Sequence, residues 1–333
     1  MKVEHGRPAL ILAPMEGVTD APMRAFFSRH GGFTHLVSEF LRVSQDPPPV
    51  RTIREHMPEL LLKPGVCETR EGIPVQLQLL GGDPDKLALT AQRAVSAGVR
   101  GIDLNFGCPA PTVNRNDGGA TLLKYPDRIE RIVRTVRDAL PPEIPVSAKL
   151  RLGWENPDEI DHNAERAVRG GAAWITIHGR TKMQAYKPPA DWVRIARVKN
   201  TLNVPVVVNG DLFRFEDYRK CREEYGFEHF MIGRGALGNP ALPRKVAQDL
   251  GVPMRADSLF MDWRGEPRQW NAVFRAFCDA GGLLSQDRHY LPSRIKMWVK
   301  FAILIDGAQS YPWFDELKRL HTLEEMEEVF RRA

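Results

Sequence analysis

Polar side chains that could act together in chemistry stand at the ends of otherwise apolar stretches of this chain. Asn105 and Cys108 close one such stretch, and Lys149 and His178 lie within two later ones. A buried polar group without a partner costs about 1–3 kcal/mol, so an apolar core gives no reason to keep them. We therefore expect these residues to surround a polar ligand.

Two glycine-containing loops further along the chain are typical of phosphate binding. Asn209-Gly210-Asp211 follows the seventh apolar stretch, and Gly233-Arg234 follows the eighth. Glycine lets backbone N–H groups approach a phosphate closely, and arginine adds a charge-assisted hydrogen bond. In a barrel of alternating strands and helices, the last two loops commonly bind phosphate. The sequence therefore predicts a phosphorylated ligand.

Lys149 and Gln78 suggest that this ligand is a flavin. Reduction of a flavin builds negative charge at its N1–O2 edge, which a lysine on a strand can stabilise. Gln78 could hydrogen-bond the same ring system. An aldolase-type Schiff-base lysine at Lys149 and a merely packed histidine at His178 are the alternatives.

Cys108 is the one cysteine with a catalytic context. It precedes a long segment containing Gly118 and Gly119, which we interpret as a lid over the substrate. A free thiol has a pKa of about 8.5, so it is protonated at neutral pH and can donate a proton. The other three cysteines lack this context and are interpreted as structural: Cys67, Cys221 and Cys278.

Eight apolar stretches alternate with amphipathic helix patterns and would position these side chains. Near-continuous apolar strands indicate burial on both faces, as in a parallel sheet. Eight units predict an α/β fold of the (β/α)8 TIM-barrel type. An open doubly wound sheet is the alternative, but no GxGxxG follows the first stretch. The predicted strands span residues 10–15, 35–40, 74–80, 101–107, 145–152, 174–179, 205–210 and 229–234.

The chain beyond residue 250 has a different pattern, without a convincing strand. We predict a barrel domain over residues 1–250 and an all-helical domain over 251–333, with helices at 266–284, 292–306 and 323–333. This second domain contains a basic cluster that either contacts phosphates or forms a solvated helix face. Its members are Arg288, Arg294, Lys296 and Lys300.

The composition fits a soluble globular protein and narrows its partners. Of the 333 residues 43% are hydrophobic and 27% charged, and the net charge of +5 permits a polyanionic partner. The four cysteines form no CxxC pair and have no histidine at ligand spacing, so we expect no metal site and no disulfide framework. Because no apolar run is long enough to span a bilayer and the leading residues do not resemble a signal peptide, we expect a cytoplasmic protein.

Motifs along nearly the whole barrel resemble the tRNA-dihydrouridine synthase family. In chain order they are APMEGVTDAPMR, QLLGGDP, DLNFGCPAPTVN with GGATLL, KLRLGW, HGRTKMQAY, NGD and MIGRGAL. Residues 38–42, the HGRTKMQAY loop and RIKMWVKF at 294–301 most resemble the DusC branch of that family.

The resemblance implies a TIM barrel that holds FMN across its mouth, NADPH as electron donor, and Cys108 as the acid that protonates the reduced uracil ring. FMN contacts are implied for Pro14, Met15, Glu16, Gln78, Lys149 and His178, and contacts to its phosphate for Asn209, Gly210, Asp211, Gly233 and Arg234. Contacts to tRNA are implied for Arg42, Asn105, Tyr186 and Arg294, to which the basic cluster adds Lys296.

The same resemblance makes the helical domain the tRNA-binding domain, and the DusC branch implies uridine 16 of the D-loop as the target. We expect a monomer. Residues 1–9 form a longer lead than is usual in the family, and we expect it to be disordered. Two other functions stay open: a flavin-dependent reductase of a free pyrimidine, similar to dihydroorotate dehydrogenase, and an RNA-binding barrel without enzymatic activity.

Overall fold

Eight parallel strands close into a barrel in sequence order, with the last strand pairing with the first. The computed structural model describes residues 2–63, 65–115, 117–260, 263–281 and 290–332. The (β/α)8 prediction is confirmed, and each predicted strand is present with ends shifted by at most three residues. The strands are β1 (Ala9–Leu12), β2 (His35–Arg42), β3 (Val75–Leu80), β4 (Ile102–Phe106), β5 (Val146–Arg151), β6 (Ile175–His178), β7 (Val206–Asn209) and β8 (His229–Ile232).

The strands are buried on both faces because side chains alternate between two separate packing environments. On β7, Val206 and Val208 pack outward under the helices, whereas Val207 points into the barrel beside Ile11 and Met231. This alternation with period two explains why the strand sequences are apolar almost throughout.

The lead before β1 closes the amino end of the barrel. Val3 is 4% exposed and belongs to the interior cluster that includes Ile11 and Trp174. Glu4 and Arg7 bridge across a tight turn in which Gly6 has a φ of 73°. The expectation of a disordered lead is therefore wrong for residues 2–8, because its one large apolar side chain has a buried place to fill.

Helices follow the strands and cover the barrel, and the chain ends in a helical region. The region around residues 47–67 also contains a helix, and three short 3-10 helices occur at Pro58–Leu61, Gly119–Lys124 and Ala308–Ser310. The α-helices are α1 (Ala21–His30), α2 (Val50–His56), α3 (Pro84–Ser96), α4 (Pro111–Arg115), α5 (Pro126–Asp138), α6 (Glu159–Arg169), α7 (Trp192–Lys199), α8 (Phe215–Tyr225), α9 (Arg234–Gly238), α10 (Leu242–Asp249), α11 (Pro267–Gly281), α12 (Tyr290–Asp306), α13 (Phe314–Leu317) and α14 (Leu323–Arg332).

The three helices predicted in the C-terminal region are present as α11, α12 and α14. Within the described part of the chain, each helix is too short or too polar to cross a bilayer. A domain boundary at residue 250 stays a prediction, because α11 and α12 pack directly on barrel helices α1 and α9.

An aromatic cluster centred on Trp298 joins the helical region to the barrel. The Trp298 ring is fully buried, with edge-to-face contacts to Phe26 of α1 at 5.0 Å and to Phe277 of α11 at 5.7 Å. Its indole N–H donates to the carbonyl of Leu237 in α9 at 2.7 Å. Large aromatic groups with a satisfied polar atom stabilise such contacts strongly.

Asp20 also connects the barrel to the helical region, through an ion pair and hydrogen bonds. One carboxylate oxygen caps α1 by accepting from the Met23 N–H at 3.2 Å. The other accepts from the Arg294 guanidinium at 2.8 Å and from the Tyr290 hydroxyl at 2.6 Å, both on α12. The side chains of Asp20 and Arg294 are 17% and 18% exposed, so this ion pair is largely shielded from solvent.

Asp20→Ala should lower the melting temperature, because it removes a helix cap and leaves Arg294 without its acceptor. The expected cost is about 1–3 kcal/mol, measured by thermal and denaturant unfolding. Asp257→Ala is the matched control, since the Asp257–Arg29 pair also reaches α1 but both side chains are nearly half exposed. A solvent-screened pair of this kind contributes little. Equal destabilisation by the two substitutions would contradict the role given to Asp20.

Candidate functional site

A cavity of about 500 Å³ opens at the carboxyl end of the barrel strands. Its size is typical of a small-molecule site. Most of the residues predicted from the sequence line it: Pro14, Met15, Glu16, Gln78, Asn105, Cys108, Lys149, His178, Tyr186, Asn209, Gly210, Asp211, Gly233 and Arg234. Three predicted residues, Arg42, Arg294 and Lys296, do not line it.

Asp103 of β4 organises the floor of the cavity although it was absent from the predicted site. Its buried carboxylate accepts from Gln78 Nε2 at 2.7 Å and from Ser147 Oγ at 2.5 Å. Burial raises the pKa of Asp103 to about 6, against the lowering effect of these two hydrogen bonds and of nearby Lys149. The carboxylate consequently fixes which way the Gln78 amide points.

The same hydrogen-bond chain continues to the cysteine. Gln78 Oε1 accepts from Asn105 Nδ2 at 2.8 Å, and Asn105 Oδ1 accepts from the backbone N–H groups of Gly107 and Cys108, each at 2.9 Å. Asn105 was predicted to contact the substrate, and here its amide is engaged at both ends. It holds the backbone of Cys108 at the mouth of the barrel.

Lys149 of β5 is the unpaired cation of the cavity. Among the described residues it has no hydrogen-bond or ion-pair partner, and its side chain is partly buried. Burial, together with repulsion by Arg151, lowers the pKa of Lys149 to about 8, against the raising effect of Asp103 and Cys108. An ammonium group held in this way is available to an anionic or electron-rich ligand.

His178 of β6 is neutral. Burial, followed by the charges of Arg151, Lys149, Arg180 and Arg234, holds its pKa well below the ordinary value. Arg180 Nη1 lies 3.1 Å from His178 Nε2, and because a guanidinium only donates, Nε2 must accept. The ring proton is therefore on Nδ1.

The two predicted phosphate loops lie side by side at this end of the barrel. Gly210 has a φ of 112°, and a Cβ there would lie 2.8 Å from His178 Cδ2, so glycine is the residue that fits this position without a clash. The Asp211 carboxylate accepts from both the Arg180 guanidinium and the Ala190 N–H. Asp211 thus anchors the neighbouring loop, and its predicted contact with a cofactor depends on its backbone.

Arg151 and Arg180 were missing from the predicted set, although each is a charged residue at a strand end. Arg151 is 2% exposed and donates to the carbonyls of Gly107 at 2.8 Å and Ala185 at 2.9 Å. It therefore ties the segment of Cys108 to the loop of Tyr186. Charge within an apolar strand was the available signal, but the carbonyl partners could not be read from the sequence.

Tyr186 stands at the rim of the cavity, 54% exposed. The guanidinium of Arg234 lies 5.0 Å from its ring centroid, and that of Arg151 lies 5.5 Å away. Arg234 also lies 5.2 Å from the ring of Phe213. Two cations close to one tyrosine ring help to hold it at the entrance, although more than half of the residue stays exposed to solvent.

The Cys108 thiol is half-buried at the cavity mouth. Burial raises its pKa, and Glu16 adds to this effect, while the Ala110 backbone, Arg151 and Arg42 oppose it. The thiol is therefore protonated at neutral pH. Burial also raises the pKa of Cys67 to about 12 and that of Cys278 to about 11.

The segment after Cys108 is more structured than the predicted loop. It contains α4 and the 3-10 helix Gly119–Lys124, and Asn114 links the two. Asn114 Nδ2 donates to the Ala110 carbonyl at 2.8 Å, and its Oδ1 accepts from the Thr121 N–H at 2.9 Å. A lid function for this segment stays a prediction.

The predicted tRNA contacts differ in their availability. Arg42 is exposed and lies 5.6 Å from the ring of Phe40, which lines the cavity. Arg294 is engaged by Asp20, as described above, and Arg288 lies outside the described residues. Lys296 and Lys300 are one turn apart on α12, on the same face as Leu304, which lines the cavity mouth.

This chain is similar to known proteins over most of its length. The family model described as dihydrouridine synthase matches residues 11–256. A tRNA-dihydrouridine(16) synthase of Aquipseudomonas alcaligenes is 39% identical over 324 residues, covering 96% of this chain and 98% of the relative. Proteins of the same name from Pseudomonas putida and Neisseria meningitidis are 40% and 39% identical, covering 93% and 97% of this chain and 92% of each relative.

Because burial raises the pKa of the Cys108 thiol, we expect the rate of its alkylation to reach half its maximum at a pH above the ordinary thiol pKa of about 8.5. The reason is that a raised pKa lowers the thiolate fraction at every pH below it. Iodoacetamide labelling followed by peptide mass spectrometry measures the rate at each pH, and Cys108→Ala identifies the peptide. The fully buried Cys221 serves as the internal control and should stay unmodified in the folded protein. A midpoint at or below 8.5 would contradict the assignment of a protonated thiol.

Proposed function

Because this chain belongs to the dihydrouridine synthase family of oxidoreductases, we propose that it reduces the C5=C6 bond of a uridine in tRNA to 5,6-dihydrouridine. The observation that best supports this function is the pairing of a protonated thiol, Cys108, with an unpartnered cation, Lys149, in one cavity. This arrangement suits the addition of a hydride and a proton across a conjugated double bond.

FMN fits the residues of this cavity. Lys149 offers a positive charge that has no hydrogen-bond or ion-pair partner among the described residues, and His178 offers its Nδ1–H. Gly210 lets its loop pack against His178 in the cavity wall, and the half-buried Arg234 can form an ion pair with a phosphate. Reduced by NADPH, bound FMN would supply the hydride for C6 of the uracil ring.

Cys108 completes the reaction as the general acid. Its thiol gives its proton to C5, leaving a thiolate that solvent can reprotonate, so hydride and proton together saturate one bond. Because its pKa is raised, the Cys108 thiol stays protonated at neutral pH and can act as an acid. Asn105 contributes by holding the Cys108 backbone, and Gln78 and Asp103 hold Asn105.

The substrate base must leave its stack to enter this cavity, and nucleotides of an RNA loop do so at low cost. Tyr186 and Arg42 at the rim can stack on a base or bind a phosphate of the RNA. Lys296 and Lys300 lie on the face of α12 that ends at the cavity mouth and can bind further phosphates. We propose uridine 16 of the D-loop as the target, since the relatives reported above are named for that position. A monomeric, cytoplasmic enzyme is part of the same proposal.

The two alternatives raised from the sequence are less well supported. A reductase of a free pyrimidine does not need the basic side chains of Lys296 and Lys300 beside its cavity. An RNA-binding protein without enzymatic activity needs neither the unpartnered Lys149 nor a Cys108 held in position by Asn105.

Cys108→Ala should reduce dihydrouridine formation about 10²–10⁴-fold, the range for loss of a general acid, while FMN stays bound. Turnover is measured on unmodified tRNA, and FMN content by its visible absorbance. Cys278→Ala is the control, since it removes a partly buried thiol in the helical region. Ordinary turnover by Cys108→Ala would refute the acid role, and loss of FMN would show a structural effect.

The double substitution Lys296→Glu and Lys300→Glu should weaken tRNA binding and make the affinity less dependent on salt, because phosphate contacts are lost. Affinity is measured across a range of salt concentrations. Lys2→Glu with Arg7→Glu changes the net charge equally at the opposite end of the barrel and is the matched control. If both double variants lose the same affinity, only net charge matters and the α12 face is not the binding surface.

A further inference from the structure

Three potential metal ligands meet at the amino end of the barrel, opposite the cavity. His5 lies in the turn of the N-terminal lead, and Glu228 and His229 lie where β8 begins. One ligand atom from each lies within 4.8 Å of the other two, and this is the only such group among the described residues.

His229 is buried, and its ring nitrogens have no hydrogen-bond partner among the described residues. Its side chain is only 3% exposed, and neither ring nitrogen has a hydrogen-bond partner. Buried polar atoms are nearly always satisfied in folded proteins, so an imidazole with both nitrogens unpaired indicates a missing partner. The Glu228 carboxylate is too far away for a hydrogen bond, because its Oε2 lies 3.9 Å from His229 Nε2.

The other two ligands, His5 and Glu228, are exposed, and Glu228 contacts the backbone of the lead. Glu228 Oε2 accepts from the Gly6 N–H at 3.1 Å, which draws the turn of the lead towards β8. Val3, buried in the barrel interior, anchors the lead on its other side. His5 itself is exposed and has no hydrogen-bond partner among the described residues.

We propose that His5, Glu228 and His229 form a zinc site that fastens the N-terminal lead to β8. Two imidazoles and one carboxylate match the preference of Zn²⁺ for nitrogen with some oxygen, with water at the fourth position. Mg²⁺ and Ca²⁺ prefer oxygen ligands throughout and are not expected.

The geometry needs only a small adjustment to bind the ion. In a tetrahedral zinc site with bonds of about 2.0–2.1 Å, the ligand atoms lie roughly 3.4 Å from one another. In this structure the three ligand atoms lie within 4.8 Å of one another. The exposed side chains of His5 and Glu228 can close this gap, while buried His229 stays in place.

The role of this site is structural. Function in this type of barrel lies at the carboxyl ends of the strands, whereas the amino ends contribute stability. A zinc ion here would bind the folded chain and not the unfolded one, and so would stabilise the fold by mass action.

The test titrates Zn²⁺ into the full-length, tag-free flavoprotein after chelator treatment, with Co²⁺ as a spectroscopic probe. Wild type should bind one more Zn²⁺ than His5→Ala or Glu228→Gln, or bind it at least about 10-fold more tightly. Its melting temperature should rise with Zn²⁺, and that rise should be absent in the variants. Both substitutions are at exposed side chains, and glutamine keeps an acceptor for the Gly6 N–H, so folding is preserved.

His162→Ala is the matched control, because His162 is also exposed and lies 4.0 Å from a carboxylate, that of Glu165. It should bind zinc as wild type does. The proposal is overturned if wild type and His5→Ala bind the same number of zinc ions with equal affinity. It is equally overturned if the Co²⁺ spectrum shows a thiolate charge-transfer band that persists in His5→Ala, since the ion would then be held by a cysteine.

Discussion

The buried carboxyl group of Asp103 is the constraint on which the catalytic end of this barrel depends. A carboxylate inside a protein needs donors around it, and Gln78 and Ser147 supply them. Meeting that need fixes the Gln78 amide, then the Asn105 amide, and finally the backbone position of Cys108. The pKa values of Asp103 and Lys149 shift in opposite directions on burial, and each charge stabilises the other.

The barrel interior is consequently divided into two halves. Strands β3, β4 and β5 point amides, carboxyl and ammonium groups inward, whereas β1, β7 and much of β8 point apolar side chains such as Ile11, Val207 and Met231. The polar half orients charge and hydrogen bonds, and the apolar half gives the barrel a packed core. Arg151 and Arg180 then clamp the loops above the polar half.

Much of this architecture could be predicted because it depends on local patterns. Apolar strands buried on both faces, helix patterns between them and glycines with special backbone geometry are all visible in the sequence, as at β7 and Gly210. What could not be predicted are partners brought together by closure of the barrel. The commitment of Arg294 to Asp20 and the burial of Val3 are of this kind. Cysteine spacing, on which we based the expectation of no metal site, also carries no information on His5 and His229, which come together from opposite ends of the barrel sequence.

The shared use of Asp20 limits how the helical region can move. The same carboxylate begins α1 and holds the first turns of α12 through Tyr290 and Arg294. If α12 swung away from the barrel, two donors would lose their acceptor together, and the aromatic contacts of Trp298 would open as well. A hinge at this junction is therefore strongly opposed. For an RNA bound along α12, the distance between its contact with the helix and the cavity mouth would be fixed. That fixed distance would decide which nucleotide reaches the cavity.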